Sequence, residues 1–141
     1  MLKQAIKTLD EQGCSVAVIT QEGKTFTDNG TSVRPLYRIY LSHKDEMKGA
    51  SVADKVIGRA AACILVSARV KEAFAYIVSR DALRLLQANG IDAEYSLLVD
   101  RIENRTKTDM CPMEKRIFGC DDVEECIRRI DEFIKTVKYN G

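Results

Sequence analysis

The chain has 141 residues, and 45% of them are hydrophobic, which is enough to build the core of one domain. Its 22 basic and 21 acidic side chains nearly cancel, so no overall field draws the protein to nucleic acid or anionic lipid. We therefore expect a single domain over residues 1–141 that is soluble and cytoplasmic, because no apolar run approaches the roughly 18 residues that span a bilayer.

Cysteine and histidine are the residues that would form disulfides or hold a soft metal ion. The chain has one histidine, His43, and five cysteines, an odd number with no Cys-x-x-Cys pair. This spacing is not that of a disulfide framework or of a zinc ribbon. We predict no metal site and no cofactor.

The N-terminal half predicts a helix, an antiparallel hairpin, a short helix, a loop and a long buried helix. The first helix ends at Gly13, and the two strands of the hairpin cover residues 14–20 and 24–27. The short helix covers 33–41, the loop 42–50 and the buried helix 53–68. In the last of them, apolar residues lie nearly all around the helix, so we expect it in the middle of the domain.

The C-terminal half predicts a strand, a helix, a second strand and a final helix. These elements cover residues 70–78, 82–88 and 91–99, and the final helix follows a cap at Asp121-Asp122. A strand, helix and strand at this spacing indicate a parallel pair joined by a right-handed crossover. We therefore expect an α/β fold with a mixed sheet.

Two segments carry polar residues that packing does not explain. The stretch from Asn104 to Glu114 gathers an amide, the guanidinium of Arg105, the thiol of Cys111 and carboxylates. Further upstream, Asp54 and Lys55 stand at the predicted start of the buried helix. We interpret the two segments as parts of one small-molecule site.

Asp54 and Lys55 have two interpretations. In the first, Ser51 and Asp54 form a capping box and Lys55 reaches solvent. In the second, Lys55 and the free N–H groups of the helix bind an anion such as phosphate, with Asp54 as orienter or proton acceptor. The second explains why a lysine stands where the helix dipole repels it by a few tenths to about 1 kcal/mol.

Ser79 and Cys111 are also open to two interpretations. Ser79 is expected to cap the following helix, and the same hydroxyl is a candidate ligand contact. Cys111 lies in a polar loop before a proline, so it is the candidate reactive thiol, with structural or ligand contact as the alternative. Arg105, Lys107 or Lys55 nearby would stabilise its thiolate, and Glu114 would destabilise the thiolate or act as a base.

Several motifs in this order are similar to one uncharacterised family, domain of unknown function 1893. They are Gly30-x-x-Val33-x-Pro35-Leu36, Gly49-Ala-Ser-Val-Ala-Asp-Lys-Val-Ile-Gly-Arg-Ala-Ala62, Ser79-x-x-Ala82-Leu83, Asn104-Arg105 and Cys111-Pro-Met-Glu114. The resemblance covers roughly residues 14–130. It implies a three-layer, cytidine deaminase-like fold with a five-stranded mixed sheet, helices on both faces and the starts of two helices side by side.

The zinc pattern of that fold is missing from the sequence. A zinc deaminase has His or Cys and then Glu at the start of one helix, and Pro-Cys-x-x-Cys at the start of the next. Here the two predicted helix starts carry Ala53-Asp54-Lys55 and Ser79-Arg80-Asp81. The resemblance therefore implies a scaffold that works without metal.

Two classes of function remain. The first is a small enzyme or binding protein with an anionic or nucleotide-like ligand, phosphate-containing ligands included, held by Asp54, Lys55, Ser79 and the segment 104–114. The second is a non-catalytic regulatory or redox-responsive module that uses Cys111. Whether the protein is an enzyme stays open. Nucleic-acid binding is disfavoured because acids intersperse the short basic cluster, and a homodimer through the last helix or the hairpin edge is a further expectation.

Overall fold

Five strands form one mixed sheet in the computed structural model, which describes residues 1–104 and 106–136. The strands are β1 (Val16–Ile19), β2 (Thr25–Asp28), β3 (Ser51–Ile57), β4 (Glu72–Ser79) and β5 (Asp92–Val99). Their order across the sheet is β2-β1-β3-β4-β5. Strand β1 pairs antiparallel with both β2 and β3, whereas β3, β4 and β5 run parallel.

Helices cover both faces of the sheet. They are α1 (Leu2–Gln12), α2 (Arg34–Met47), α3 (Arg59–Ala68), α4 (Arg80–Ala88), α5 (Pro112–Ile117) and α6 (Val123–Thr136). In β1, Ala17 and Ile19 pack with α1, while Val16 and Val18 join the larger core on the other face. This division follows from the alternation of side chains along a strand.

Helix α3 lies at the centre of the larger core. All six residues from Ala60 to Leu65 are buried, because α3 packs against α2, α4 and α6 as well as the sheet. The prediction of a central, nearly all-apolar helix is correct for this segment. Within the described residues, no helix is both long and apolar enough to cross a membrane.

Several predicted elements are confirmed. The hairpin is β1 and β2, and β4, α4 and β5 form the predicted parallel pair with its crossover helix. Helix α1 ends at Gly13, whose φ of 61° is the left-handed conformation that glycine adopts at low cost. Of the predicted last helix, α6 confirms the part up to Thr136, and Val137 lies outside the described residues.

The prediction of one helix over 53–68 is wrong in its first part. Residues Ser51–Ile57 form β3, which pairs with β1 on one side and β4 on the other, and the helix begins only at Arg59. A strand between two others shows a short, nearly continuous apolar run, which periodicity alone does not distinguish from a buried helix. Asp54 and Lys55 therefore lie in a strand.

Two predicted loops are partly helical. Helix α2 continues to Met47, with a kink at His43 where φ is −136°, so the loop expected over 42–50 is much shorter. The imidazole of His43 stacks on the ring of Phe26 and hydrogen-bonds Glu46. Within the segment 104–114, Pro112 starts α5, where a proline is favoured because the first helical N–H has no partner inside the helix.

Candidate functional site

A cavity of about 340 Å³ opens where β3 ends and α3 begins. We call it cavity one. Such a position, outside the carboxyl ends of parallel strands, is where open α/β sheets bind ligands. Its wall consists of Ser15, Gly30, Thr31, Ser32, Val33, Asp54, Lys55, Val56, Gly58, Ile102, Glu103, Asn104, Cys111, Pro112, Met113 and Glu114.

Asp54 supplies a carboxyl to the inner wall of cavity one. Its antiparallel partner in the sheet is Val16, which belongs to the larger core, so the carboxyl lies on that same face. Removal from bulk water raises the pKa of Asp54 to about 7, while hydrogen bonds from the N–H groups of Val56 and Lys55 act in the opposite direction. In residues 1–104 and 106–136, no lysine or arginine forms an ion pair with it. A carboxyl of this kind exchanges a proton near neutral pH.

Lys55 follows Asp54 and is exposed at the cavity wall. Its backbone N–H donates to the carbonyl oxygen of Ser15, 3.3 Å away. The Ser15 hydroxyl donates to the carbonyl of Gly30 and accepts from the N–H of Gly30, at 3.1 and 3.2 Å. Ser15 therefore fixes the loop that forms one wall, a role that the sequence analysis missed because strand-end serines carry no distinctive pattern.

Glu114 caps the start of α3. Its Oε1 accepts from the N–H of Arg59 at 2.6 Å, and its Oε2 accepts from the N–H of Ala60 at 3.0 Å. Burial raises the pKa of Glu114, although these two hydrogen bonds lower it. The carboxylate fits because the N-cap residue is Gly58, where an added Cβ would lie only 2.3 Å from Oε1.

The structure contradicts the helix-start geometry from which the anion site at Asp54 and Lys55 was predicted. Neither residue is at a helix start, and there is no capping box of Ser51 and Asp54, since Ser51 donates instead to Glu72. At the real start of α3, the N–H groups of Arg59 and Ala60 already bind the carboxylate of Glu114.

Cys111 lines cavity one as the N-cap residue of α5. Its N–H donates to the carbonyl of Ile102 at 2.8 Å, and its own carbonyl accepts from the N–H of Lys115 at 3.0 Å. The thiol is half-buried, whereas Cys14, Cys63, Cys120 and Cys126 are buried. Cys111 is therefore the cysteine most open to reagents, as the sequence indicated.

Asn104 reaches cavity one but uses its side chain inside its own loop. Its Oδ1 accepts from the N–H of Thr108 at 3.0 Å and from the hydroxyl of Thr106 at 3.2 Å. Its Nδ2 donates to the Thr108 hydroxyl. Asn104 thus shapes the turn before Cys111. The predicted ligand contact Arg105 lies outside the described residues.

Ser79 belongs to a second cavity of about 450 Å³, which we call cavity two. Its hydroxyl accepts from the N–H of Ala82 at 3.2 Å, so the predicted N-cap is confirmed. The guanidinium of Arg59 donates to both carboxylate oxygens of Asp81 at 3.0 Å and joins the starts of α3 and α4. Ile102 and Glu114 line both cavities, but Ser79 does not reach cavity one.

The side chains at the two helix starts do not fit a zinc ion. The start of α3 carries Gly58-Arg59-Ala60, and that of α4 carries Ser79-Arg80-Asp81. Neither offers the imidazole or thiolate that a deaminase zinc site uses at this position. In the described part of the chain, no group of three or more His, Cys, Asp and Glu is placed to hold a metal.

Comparison with known proteins confirms the family that the motifs resemble. The family model described as "TM1506: Domain of unknown function (DUF1893)" matches residues 4–134. The chain is similar to the crystal structure of the DUF1893 family protein TM1506 from Thermotoga maritima, with a TM-score of 0.84 and 26% sequence identity. The similarity covers 93% of this chain and 88% of that one. No protein with a curated description matches the sequence.

Proposed function

We propose a small-molecule-binding function for this chain, which belongs to the DUF1893 family. The ligand occupies cavity one, and Asp54 is its polar anchor. The observation that carries this proposal is the Asp54 carboxyl, which lines the cavity with no cationic side chain paired to it in the described residues and has its pKa raised to about 7.

Without a ligand, the ionised carboxyl of Asp54 lowers the stability of the folded protein. A pKa of about 7, against 3.8 for the free side chain, means that the folded protein disfavours the ionised carboxyl by a few kcal/mol above neutral pH. Side chains that reduce stability in this way concentrate at functional sites, because activity needs a group that packing would not choose. A ligand with an N–H donor would recover part of the cost by hydrogen-bonding the carboxyl.

The charges around cavity one favour a neutral or cationic ligand. Among the residues that the structure describes, the cavity is lined by the carboxyl groups of Asp54, Glu103 and Glu114 and by one cationic side chain, that of Lys55. An anion would be repelled there, and the start of α3 has no free N–H at Arg59 or Ala60 to offer it. The anionic ligand expected from the sequence is therefore the less favoured chemistry for this cavity.

The size and the apolar part of the wall favour a flat ring. A volume of about 340 Å³ is at the small end of ligand pockets. Val33, Val56, Ile102 and Met113 supply apolar surface to the wall. A nitrogen heterocycle of nucleobase size combines an apolar face with N–H donors for Asp54. The ring of a nucleotide-like ligand fits this description better than its phosphate does.

A relationship to the deaminase scaffold is part of the proposal. The strand order β2-β1-β3-β4-β5 and the adjacent, parallel β3 and β4 bring the starts of α3 and α4 together, as that scaffold requires. The residues at both starts lack zinc ligands. We therefore propose a scaffold of this type whose chemistry, if any, depends on Asp54 as proton acceptor or donor.

A second candidate function is a redox-responsive binding module that uses Cys111. The observation in its favour is that Cys111 shares cavity one with Asp54 while the other four cysteines are buried. Oxidation of the thiol to sulfenic acid by a peroxide, which is reduced to water or an alcohol, would then place a larger, more polar group in the ligand space. A ligand in cavity one would also protect the thiol from reagents.

The test is a thermal-shift and calorimetric comparison of neutral and cationic heterocycles, such as cytosine, adenine and 2-aminobenzimidazole, with inorganic phosphate. We expect at least one heterocycle to stabilise the wild type and Lys55→Ala but not Asp54→Asn. The opposite pattern, phosphate stabilising the wild type and failing with Lys55→Ala, would favour the anionic ligand instead. If no compound stabilises the wild type, and Asp54→Asn does not change stability at pH 8, the proposed function is wrong.

A further inference from the structure

We infer that Glu114 is a positioning residue, which holds the Cys111 side of cavity one against the Asp54 side. The inference rests on the proposed function, because the position of this wall matters only if the cavity binds a ligand. Glu114 is 55 residues away along the chain from Arg59, its hydrogen-bond partner, so the contact joins two segments that are otherwise independent in sequence.

We call the contact between the Glu114 carboxylate and the N–H groups of Arg59 and Ala60 the clamp. Both carboxylate oxygens are used, one on each of two successive N–H groups, at 2.6 and 3.0 Å. Such charge-assisted pairs are stronger than single neutral hydrogen bonds and fix orientation as well as distance. They also satisfy two N–H groups that a helix start leaves without partners inside the helix.

Gly58 provides an independent reason to assign this role. Its φ of −95° is ordinary for any residue, so the backbone does not require glycine at this position. The available space does require glycine, because a Cβ added at Gly58 would lie 2.3 Å from the Glu114 Oε1, 2.7 Å from its Cδ and 2.9 Å from the Cγ1 of Ile102. The missing side chain at Gly58 is therefore accounted for by the clamp.

The clamp links the two segments of the chain that carry Asp54 and Cys111. Gly58 stands four residues after Asp54, directly after the end of β3, and Glu114 stands three residues after Cys111 in α5. Helix α5 has only six residues, and no helix of this length is stable without tertiary contacts. Met113 and Ile117 of α5 point into the core, and Lys115 pairs with Asp109, while the clamp and the hydrogen bond with Ile102 hold the Cys111 end.

The first test measures how accessible the Cys111 thiol is in the absence of any ligand. The rate at which iodoacetamide alkylates Cys111 is followed by mass spectrometry at 25 °C, with Cys111→Ser to identify the reacting thiol. We expect Glu114→Ala to raise the rate about tenfold or more, because two charge-assisted hydrogen bonds that hold α5 are lost. Gly58→Ala keeps the carboxylate but displaces it, and should raise the rate as well. Glu114→Gln keeps one acceptor oxygen and should be intermediate.

The matched control is Ile117→Val. This change removes one buried methylene from the same helix without touching the start of α3, so it lowers stability in the ordinary way. An equal rise in the alkylation rate for Ile117→Val and Glu114→Ala would show that Glu114 acts only through the overall stability of the protein, which would overturn the inference. A rate for Glu114→Ala within twofold of the wild type would also overturn the inference.

The second test uses the heterocycle that stabilises the wild type. The affinity measured by calorimetry should fall at least tenfold in Glu114→Ala and Gly58→Ala and stay within twofold in Ile117→Val. Unchanged affinity in all three variants would overturn the inference while leaving the proposed function intact. If no heterocycle binds even the wild type, the alkylation test still decides whether Glu114 holds the wall, so the two failures are distinct.

Discussion

The starts of α3 and α4 lie side by side at the ends of the parallel neighbours β3 and β4, yet they are capped in different ways. Helix α4 is capped locally by Ser79, whose hydroxyl binds the N–H three residues later. Helix α3 begins at Arg59, after the N-cap residue Gly58, and is capped by Glu114, which lies 55 residues after Arg59 in the chain. A local cap stabilises one helix, whereas the remote cap also ties a distant segment to the site.

The cavities beside the two helix starts also differ in how their charged side chains are paired. Cavity two contains ion pairs that neutralise one another, Arg59 with Asp81 and Arg80 with Asp100. Cavity one contains Asp54, which no charged side chain in residues 1–104 and 106–136 neutralises. The paired side chains beside α4 join neighbouring elements of the fold, whereas the carboxyl of Asp54 beside α3 is the group to which we propose that a ligand binds.

The largest expected effect comes from removing the remote cap. Glu114→Ala should lower the free energy of unfolding by about 2–3 kcal/mol at pH 7, because two hydrogen bonds to a charged acceptor are lost. Urea denaturation followed by circular dichroism measures the change. A loss below about 0.5 kcal/mol would show that water replaces the carboxylate and that the remote cap contributes no more to stability than the local one.

Asp54→Asn should stabilise the protein at pH 8, by about 2 kcal/mol. The folded pKa of Asp54, about 7, lies above the ordinary value of 3.8, so the stabilising contribution of this group is fully present below pH 3.8 and is lost as the pH rises toward 7. The asparagine cannot ionise, so its advantage should be close to zero at pH 4, grow between these values and level off above 7. Denaturation curves at pH 4, 6 and 8 check the trend, and an advantage independent of pH would contradict it.

Ser79→Ala should cost about 1 kcal/mol, as is usual when a serine N-cap is removed. Because this cap is local, ligand affinity and the reactivity of Cys111 should stay as in the wild type. The same denaturation and alkylation measurements serve here. A change in Cys111 reactivity as large as that of Glu114→Ala would mean that both helix starts control cavity one.

The smallest effect is expected for Asp81→Asn. The carboxylate of Asp81 is 55% exposed, and such ion pairs contribute about 0–1 kcal/mol. The loss should shrink further in high salt, which screens exposed charges. A salt-independent loss above about 1.5 kcal/mol would show that the contact between Arg59 and Asp81 holds the two helix starts together more strongly than its exposure indicates.

Sequence patterns of short range predicted much of this molecule. The hairpin, the β4–α4–β5 unit, the stop of α1 at Gly13 and the cap at Ser79 each depend on residues within one turn or one strand of each other. The motifs also indicated the family, which the family model and a solved relative confirm. The gathering of Asp54, Lys55, Asn104, Cys111 and Glu114 around one cavity was anticipated as a composite site, although Ser79 lies apart from it.

What the sequence left undecided depends on partners that are distant along the chain. Residues 51–57 are a strand because β1 and β4 pair with them on either side, and no local period reveals those neighbours. The role of Glu114 appears only once α5 reaches the start of α3, and that of Gly58 only once the carboxylate occupies the space beside it. The unusual pKa of Asp54 likewise arises from burial, which tertiary packing creates around a side chain that the sequence pattern had placed at a helix start.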